Sequence, residues 1–162
     1  DYAENLAFSP NAVQIARAAL SGGCDVVTDT EMAKAGINKK ILAQLGGEAH
    51  CFVDDESVAR EALERGVTRS AVGMERAALL QKPCIFAIGN APTALLSLLD
   101  LAEAGKVKPA LVIGAPVGFV HVVESKERLI ASGVPYIAAR GRKGGSNVAA
   151  AIVNALLYGI RR

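Results

Sequence analysis

Short apolar runs separated by helical patterns organise the chain. Five of these runs are continuous rather than alternating with polar residues, which is typical of strands covered on both faces of a parallel sheet. They span residues 24–29, 50–54, 84–89, 110–114 and 136–140. Six segments with helical spacing lie around them, with Gly, Pro or Ser at their ends. These lie near residues 10–21, 55–64, 68–81, 92–104, 121–132 and 146–158.

The alternation of strands and helices predicts the fold class. Right-handed βαβ units stack helices on both faces of one parallel sheet. We therefore expect an α/β fold with three layers, in which a doubly wound parallel sheet of five strands has the flavodoxin-like order 2-1-3-4-5. The 162 residues are enough for one domain, and we assign residues 1–162 to a single α/β domain.

Composition narrows the class of protein. The chain is 51% apolar and 21% charged, which excludes disorder. Its longest apolar stretches are interrupted by Gly, Pro or Asn, so neither reaches the roughly 18 to 20 residues of a membrane span. The first residues, DYAE, do not form a basic and then apolar signal segment. These features argue against a secreted or membrane-embedded protein and favour the cytoplasm.

Charge is distributed unevenly along the chain. The net charge is only +2, yet six cations and no carboxylate follow from Arg128 onwards. A local excess of cations indicates a pocket for an anionic ligand, although Arg161 and Arg162 also fit a solvated tail. The four Phe, three Tyr and absent Trp argue against a surface that stacks nucleic-acid bases.

The three cysteines favour a structural interpretation. Cys24, Cys51 and Cys84 form no CxxC pair, so neither a zinc knuckle nor a redox motif is supported. Each one opens an apolar run, as a small buried hydrophobic residue in a strand does. Reduced thiols are compatible with a cytosolic protein.

Candidate chemistry lies at the carboxyl ends of the predicted strands, where ligands bind in this class of fold. The segment 140–146 is the most informative, because two glycines allow close backbone approach and the following helix offers unpaired N–H groups. Arg140, Arg142 and Lys143 add positive charge. Two interpretations stay open: a carboxylate or phosphate site, and an ordinary Gly-rich turn with solvated cations.

The other strand ends also allow two interpretations each. Asn90 either caps a helix or binds a polar ligand. Asp29 and Glu31 act as acid, base or acceptor, or they favour the positive end of the next helix. His50 lies away from this edge and fits a structural role. His121 lies near it and has the pKa range of a proton donor, although packing or solvation is the favoured explanation.

Several familiar sites are absent from the sequence. It contains no G-x-G-x-x-G, no G-x-x-x-x-G-K-[ST], no HExxH, no G-x-S-x-G and no EF-hand spacing. A receiver domain needs an aspartate at the end of strand three, where this chain has Gly89 and Asn90. An unrelated nucleotide-binding or switch domain is therefore unsupported.

Three long strings resemble the precorrin-8X methylmutase (precorrin isomerase) family of cobalamin biosynthesis. They are IGNAPTALLSLL at 88–99, GAPVGFVHVVESKERL at 114–129 and GVPYIAARGRKGGSNVAAAIVNAL at 133–156. FSPNAVQIARAAL near the start, TDTEMAKAGI at 28–37 and VTRSAVGME at 67–75 extend the resemblance over nearly the whole chain.

The resemblance implies a function and partners. The family moves a methyl group from C-11 to C-12 of precorrin-8X or cobalt-precorrin-8, which gives hydrogenobyrinic or cobyrinic acid. The substrate is a corrinoid tetrapyrrole bearing several carboxylates. The resemblance also implies a homodimer with sites near the subunit interface, no cofactor and no protein-bound metal. A non-catalytic corrinoid-binding protein is the alternative.

The resemblance also implies roles for individual residues. We expect the substrate to contact residues that match the family's strings: Thr68, Arg69, Ser70, Asn90, Thr93, Arg140, Gly141, Arg142, Gly144, Gly145 and Ser146. We expect pocket support from four further residues: Asp29, Glu31, Phe119 and His121. The family's proton-donating histidine lies upstream of the position of Asp1, and neither His50 nor His121 matches it. We therefore expect this chain alone to bind the corrinoid but to turn it over weakly or not at all.

Overall fold

A mixed sheet of six strands forms the centre of the computed structural model, which describes residues 5–160. The strands are β1 (Leu6–Phe8), β2 (Asp25–Thr28), β3 (Ala49–His50), β4 (Cys84–Ile88), β5 (Leu111–Gly114) and β6 (Tyr136–Ala139). Their order across the sheet is β1-β6-β5-β4-β2-β3.

The five strands β2 to β6 are parallel, as predicted. Numbered along the chain from β2, they have the order 2-1-3-4-5, so the predicted fold class and flavodoxin-like order are confirmed. The strand order reverses between β2 and β4. In open α/β sheets this reversal creates a crevice outside the carboxyl ends of the strands, where ligands bind.

The sequence did not predict the antiparallel strand β1. Leu6 pairs with Ala139 and Phe8 with Ile137 along the free edge of β6. One further bond, from the Arg140 N–H to the Asn5 carbonyl at 2.8 Å, extends this pairing. A three-residue strand carries too little periodicity to be recognised, and its partner lies about 130 residues away in the sequence.

Helices cover both faces of the sheet. In the described part of the chain they are α1 (Ala12–Ser21), α2 (Glu31–Gly36), α3 (Lys39–Gln44), α4 (Glu56–Arg65), α5 (Arg69–Ala78), α6 (Pro92–Glu103), α7 (Val122–Ala131) and α8 (Ser146–Tyr158). The predicted helices correspond to six of these. The sequence did not predict α2 and α3, which begin where Thr30 and Asn38 accept hydrogen bonds from Ala33 N–H and Ile41 N–H.

Residues of β4 alternate between two apolar layers. Ile85 and Ala87 pack with α1 and α8, whereas Phe86 and Ile88 pack with α5, α6 and α7. All four side chains are fully buried. Burial of a large apolar side chain contributes about 1.5–3 kcal/mol, so these two layers hold the strand ends rigidly in place.

The second predicted strand is shorter than expected. Only Ala49 and His50 pair with β2, and the chain then leaves the sheet instead of continuing to residue 54. His50 has the structural role that its position suggests: its Nε2 lies 2.9 Å from Asp25 Oδ2, and its ring stacks on Phe52. Within residues 5–160, none of the helices is both long enough and apolar enough to cross a bilayer.

Candidate active site

Asp29 connects the carboxyl ends of β2 and β4. Its carboxylate accepts hydrogen bonds from the backbone N–H groups of Gly89 (2.8 Å), Asn90 (2.9 Å) and Ala91 (2.7 Å). The side chain is buried, and burial raises the pKa of Asp29 above its ordinary value while the three N–H donors limit that rise. Asp29 therefore fixes the loop at the topological switch point, and its support of a ligand pocket stays a prediction.

The start of α8 meets this loop directly. Thr30 Oγ1 and Ser146 Oγ lie 2.8 Å apart, so a side-chain bond joins the end of β2 to the first residue of α8. Gly89 packs so closely on the backbone of Gly145 and Ser146 that a Cβ at position 89 would lie 2.6 Å from Ser146 Cα. Three predicted site segments thus converge at one edge of the sheet.

The end of β5 supports the two glycines of the same turn. Gly145 N–H donates to the Ala115 carbonyl at 2.9 Å, and Ala115 N–H donates to the Ile88 carbonyl at 2.8 Å. Gly144 lies against the carbonyls of Ala115 and Pro116 with no room for a side chain. Because no side chain caps α8, its first-turn N–H groups are available to bind an anion.

The two arginines near this edge, Arg140 and Arg142, make different contacts. Arg140 forms a two-point ion pair with Glu127, with nitrogen–oxygen distances of 3.3 and 2.9 Å. The Arg142 guanidinium lies over the Phe119 ring, 5.7 Å from its centroid. Arg142 is therefore the better placed of the two arginines to bind a ligand carboxylate, whereas Arg140 must first leave Glu127.

The predicted segment 68–70 forms the start of α5. Thr68 Oγ1 accepts from Ala71 N–H at 3.0 Å and caps the helix. Arg69 is exposed and makes no hydrogen bond or ion pair with another residue in the described range 5–160. No hydrogen bond or ion pair between described residues joins Arg69 to the turn at 144–146. Its contact with substrate therefore stays a prediction.

Asn90, Thr93 and the loop before α7 lie on the solvent side of the edge. Asn90 and Thr93 are exposed. Phe119 is 82% exposed, and His121 adopts a left-handed backbone conformation (φ 61°) at the start of α7. The His121 Nδ1 lies 2.9 Å from Glu124 Oε2. These side chains border the site without filling it.

Lys126 is a part of this region that sequence analysis missed. Its side chain is fully buried, and its Nζ donates to the carbonyls of Gly141 (2.9 Å) and Lys143 (2.6 Å). Desolvation lowers the pKa of Lys126 to about 8. The signal was in the sequence, because Lys126 lies four residues after Val122 and three before Leu129, on the apolar stripe of α7.

The low pKa of Lys126 predicts how stability depends on pH. The unfolded chain holds this proton up to about pH 10.5, whereas the folded chain releases it near pH 8. Stability linked to Lys126 is therefore present in full above pH 10.5 and is lost as the pH falls through 8. Relative to K126M, the wild type should gain up to about 3 kcal/mol of unfolding free energy between pH 8 and 10.5. Urea unfolding of both proteins measures this difference, and parallel curves would contradict it.

One cluster of three side chains has the composition of metal ligands. Single ligand atoms of Glu31, Cys51 and Asp54 all lie within 4.8 Å of one another. Burial, followed by a hydrogen bond to Glu31, raises the pKa of the Cys51 thiol to about 11, so the thiol is protonated at neutral pH. Sequence analysis missed the cluster because Glu31 comes from a separate segment, about twenty residues before Cys51 and Asp54. Cys24 and Cys84 are buried as predicted, and Cys51 is half-buried.

Two cavities lie away from the candidate site. One of about 350 Å³ is lined by Lys82, Lys106 and Lys108 near the amino ends of β4 and β5. The other, of about 580 Å³, lies beside α5 and includes Arg76 and Leu79. Neither includes a residue predicted to bind substrate. Both cavities are therefore separate from the candidate site at the carboxyl ends of the strands.

Known proteins match the chain over almost its whole length. A family model described as precorrin-8X methylmutase matches residues 1–159. The cobalt-precorrin-8 methylmutase of Salmonella typhimurium is 49% identical over 99% of this chain and 75% of its own length. The precorrin-8X methylmutase of Pseudomonas aeruginosa is 45% identical over 96% of this chain and 76% of its own length.

A solved structure has the same fold. The precorrin-8X methylmutase of Thermus thermophilus superimposes with a TM-score of 0.87 at 34% identity, covering 97% of this chain and 77% of the solved chain. Its fold therefore extends over essentially all of the elements described above.

Proposed function

The chain belongs to the precorrin-8X methylmutase family, and from this premise we propose that it is an isomerase that moves a methyl group from C-11 to C-12 of precorrin-8X or cobalt-precorrin-8. The observation that carries the proposal is the family match over residues 1–159. Relatives named for the metal-free and for the cobalt-containing substrate are similarly close, at 45% and 49% identity, so both corrinoids are substrates to test.

The geometry of the strand ends fits such a ligand. A corrinoid is a broad conjugated ring with acidic side chains, and it needs dispersed donors together with apolar surface. The unpaired N–H groups at the start of α8 and the guanidiniums of Arg142 and Arg69 supply the donors. Phe119 and Val120 supply exposed apolar surface beside them.

The proposed reaction depends on how the protein holds the substrate and does not require a nucleophile. A sigmatropic methyl shift moves the methyl group within one molecule, so the protein must hold the ring in one geometry and place a proton on a ring nitrogen. The Asp29 bonds and the close packing at Gly89 make the binding edge rigid. His50 is held by Asp25 and stacks on Phe52, which leaves it a structural role in this scheme.

Conversion of the corrinoid tests the proposed function. Purified protein is mixed with excess precorrin-8X or cobalt-precorrin-8, and the change in visible absorbance follows formation of the corrin product. Formation of more than one product molecule per protein molecule, even at a low rate, supports the isomerase. Stoichiometric binding of product without conversion supports the non-catalytic corrinoid-binding alternative, and neither binding nor conversion overturns both assignments.

Arg69 is the residue whose proposed contact is simplest to test. R69A should weaken binding of hydrogenobyrinic acid about tenfold, because it removes one charge-assisted contact worth roughly 1.4 kcal/mol. The melting temperature should not change, since Arg69 makes no hydrogen bond or ion pair with another residue between 5 and 160. R60A is the matched control: Arg60 is also exposed and without such partners in that range. Equal affinity in wild type, R69A and R60A would remove Arg69 from the site.

We also propose that the chain forms a homodimer, in line with the family resemblance. Its support is an apolar patch, defined by Val117, Phe119, Val120 and Val123, which are 42%, 82%, 73% and 41% exposed. Phe119 of this patch lies against Arg142 of the candidate site, so a second copy seated on the patch would cover both.

A charge introduced into the patch should separate the subunits. V120D places a carboxylate where the dimer would bury a valine, and we expect light scattering after size exclusion to give the monomer mass at micromolar concentration. L79D is the control, because Leu79 is equally exposed (73%) but lies beside α5 and outside the patch. A monomeric wild type, or a dimeric V120D, would count against this interface.

We propose a cytoplasmic location. The three cysteines are all free thiols, as expected for a reducing compartment. A biosynthetic role in tetrapyrrole metabolism fits the same compartment. Fractionation of the native host with an antibody against the chain tests the assignment.

A further inference from the structure

Lys126 carries a buried positive charge that no carboxylate of the described residues neutralises. Its side chain has no exposed surface, and its Nζ donates only to the Gly141 and Lys143 carbonyls. Buried charges in proteins are normally paired with an opposite charge or a metal. Among the described residues this ammonium has no counter-charge, so an anion bound at the neighbouring turn would stabilise it.

The two carbonyls belong to the turn that carries the candidate anion site. Gly141 has a left-handed backbone (φ 79°), so the turn bends sharply at the point where Lys126 holds it. Arg142 lies between the two anchored carbonyls, and Gly144, Gly145 and Ser146 follow directly. Lys126 thus fixes the conformation of the backbone from which the proposed ligand donors project.

Neighbouring contacts hold the same turn from its flanks. Glu127, the next residue of α7, pairs with Arg140 before the turn, and Phe119 packs under Arg142 within it. Both of those contacts are exposed to solvent, and exposed ion pairs contribute little. The buried bonds of Lys126 are therefore the strongest of the three attachments.

We propose that Lys126 is a positioning residue for the acidic substrate: it holds the turn at 140–146 in the shape that binds a ligand carboxylate, and its ammonium provides part of the positive field there. This inference rests on the proposed function, because the anion is taken to be a carboxylate of the corrinoid. Lys126 itself does not touch the substrate. It acts through Arg142 and the N–H groups that follow.

Binding and turnover of variants test the proposal. K126M removes the charge and both hydrogen bonds but keeps most of the side-chain volume, and K126R keeps the charge and donors. K108M is the matched control, because it removes one exposed lysine at the other edge of the sheet. We expect K126M to raise the KM for precorrin-8X and the Kd for hydrogenobyrinic acid at least tenfold, with kcat within threefold of wild type. K126R and K108M should stay within threefold on all three constants.

The results separate positioning from a general structural role. K126M loses two hydrogen bonds, which destabilises the fold, but it also removes a buried charge whose desolvation is unfavourable. Because these two effects oppose each other, we expect K126M to melt within about 5 °C of wild type. A folded K126M with unchanged KM and Kd overturns the proposal, as does equal impairment of K126M and K126R. A wild type that neither binds nor converts the corrinoid overturns the proposed function first, and this inference with it.

Limited trypsin digestion provides a second measurement that does not depend on the folding of K126M. The turn contains three cleavage sites, after Arg140, Arg142 and Lys143. A turn anchored by Lys126 should resist cleavage in the folded wild type, and bound hydrogenobyrinic acid should protect it further. Cleavage at the rate of an unstructured peptide, with no protection by product, would show that the turn is not held and would overturn the proposal.

Discussion

Replacing Gly89 with alanine should lower methylmutase turnover at least a hundredfold. The new Cβ would lie 2.6 Å from Ser146 Cα and 2.8 Å from the Gly145 carbonyl oxygen. Both are backbone atoms that cannot rotate away, so the end of β4 and the start of α8 must move apart by roughly an ångström. A misplacement of that size in a site that acts by orientation costs about a hundredfold in rate.

The turnover rate of G89A, compared with that of a glycine variant at an unstrained position, tests this prediction. G22A is the control, because Gly22 has a negative φ of −81° and a Cβ there would lie 3.4 Å from its nearest neighbour. The strain should also lower the unfolding free energy of G89A by about 1–3 kcal/mol. If G89A turned over corrinoid at the rate of G22A, then the contact between β4 and α8 would not shape the site.

Removal of the Asp29 carboxylate should cost about 3 kcal/mol of unfolding free energy. Three backbone N–H groups, at positions 89 to 91, would lose their acceptor at once, and that of Gly89 is buried. An unsatisfied buried donor costs about 1–3 kcal/mol. The N–H groups of Asn90 and Ala91 are only partly buried, so they cost less, because water can replace the carboxylate as their acceptor. Urea unfolding of D29A measures the loss.

D55A is the matched control for D29A. Asp55 also caps a helix, by accepting from Ser57 N–H at 2.8 Å, but it is exposed and acts within its own segment. Its removal should lower the unfolding free energy much less than removal of Asp29, because solvent replaces the lost acceptor. The D29A protein should also bind product more weakly, because the loop that carries Asn90 is no longer fixed. Equal losses in D29A and D55A would show that Asp29 is an ordinary cap.

The sequence predicts the parallel part of the sheet because each of its strands is buried on both faces. The run 84–88 is apolar at every position, and the structure buries all five residues. The carboxyl ends then had to share one edge, which is why Asp29, Gly89 and Ser146 were predicted to lie together. Such inferences depend only on strand direction and burial, and both leave a clear pattern in a sequence.

Pairings between distant charged residues left no comparable pattern. Nothing in the sequence indicates that Arg140 pairs with Glu127, because the distance between α7 and the end of β6 is set by packing. The site prediction therefore treated Arg140 and Arg142 alike, whereas in the structure Arg140 pairs with Glu127 and Arg142 lies over the Phe119 ring. The convergence of Glu31 with Cys51 and Asp54 is of the same kind, since packing brings two separate segments together.

The direction of β1 decides where a fusion partner can be attached. Because β1 runs antiparallel to β6, Asn5 lies beside Arg140, and any domain joined ahead of it emerges next to the binding edge. The last helix starts at that edge and carries the chain about 20 Å away over its 13 residues. Affinity tags and immobilisation linkers therefore belong at the carboxyl terminus, where they leave access for a large ring.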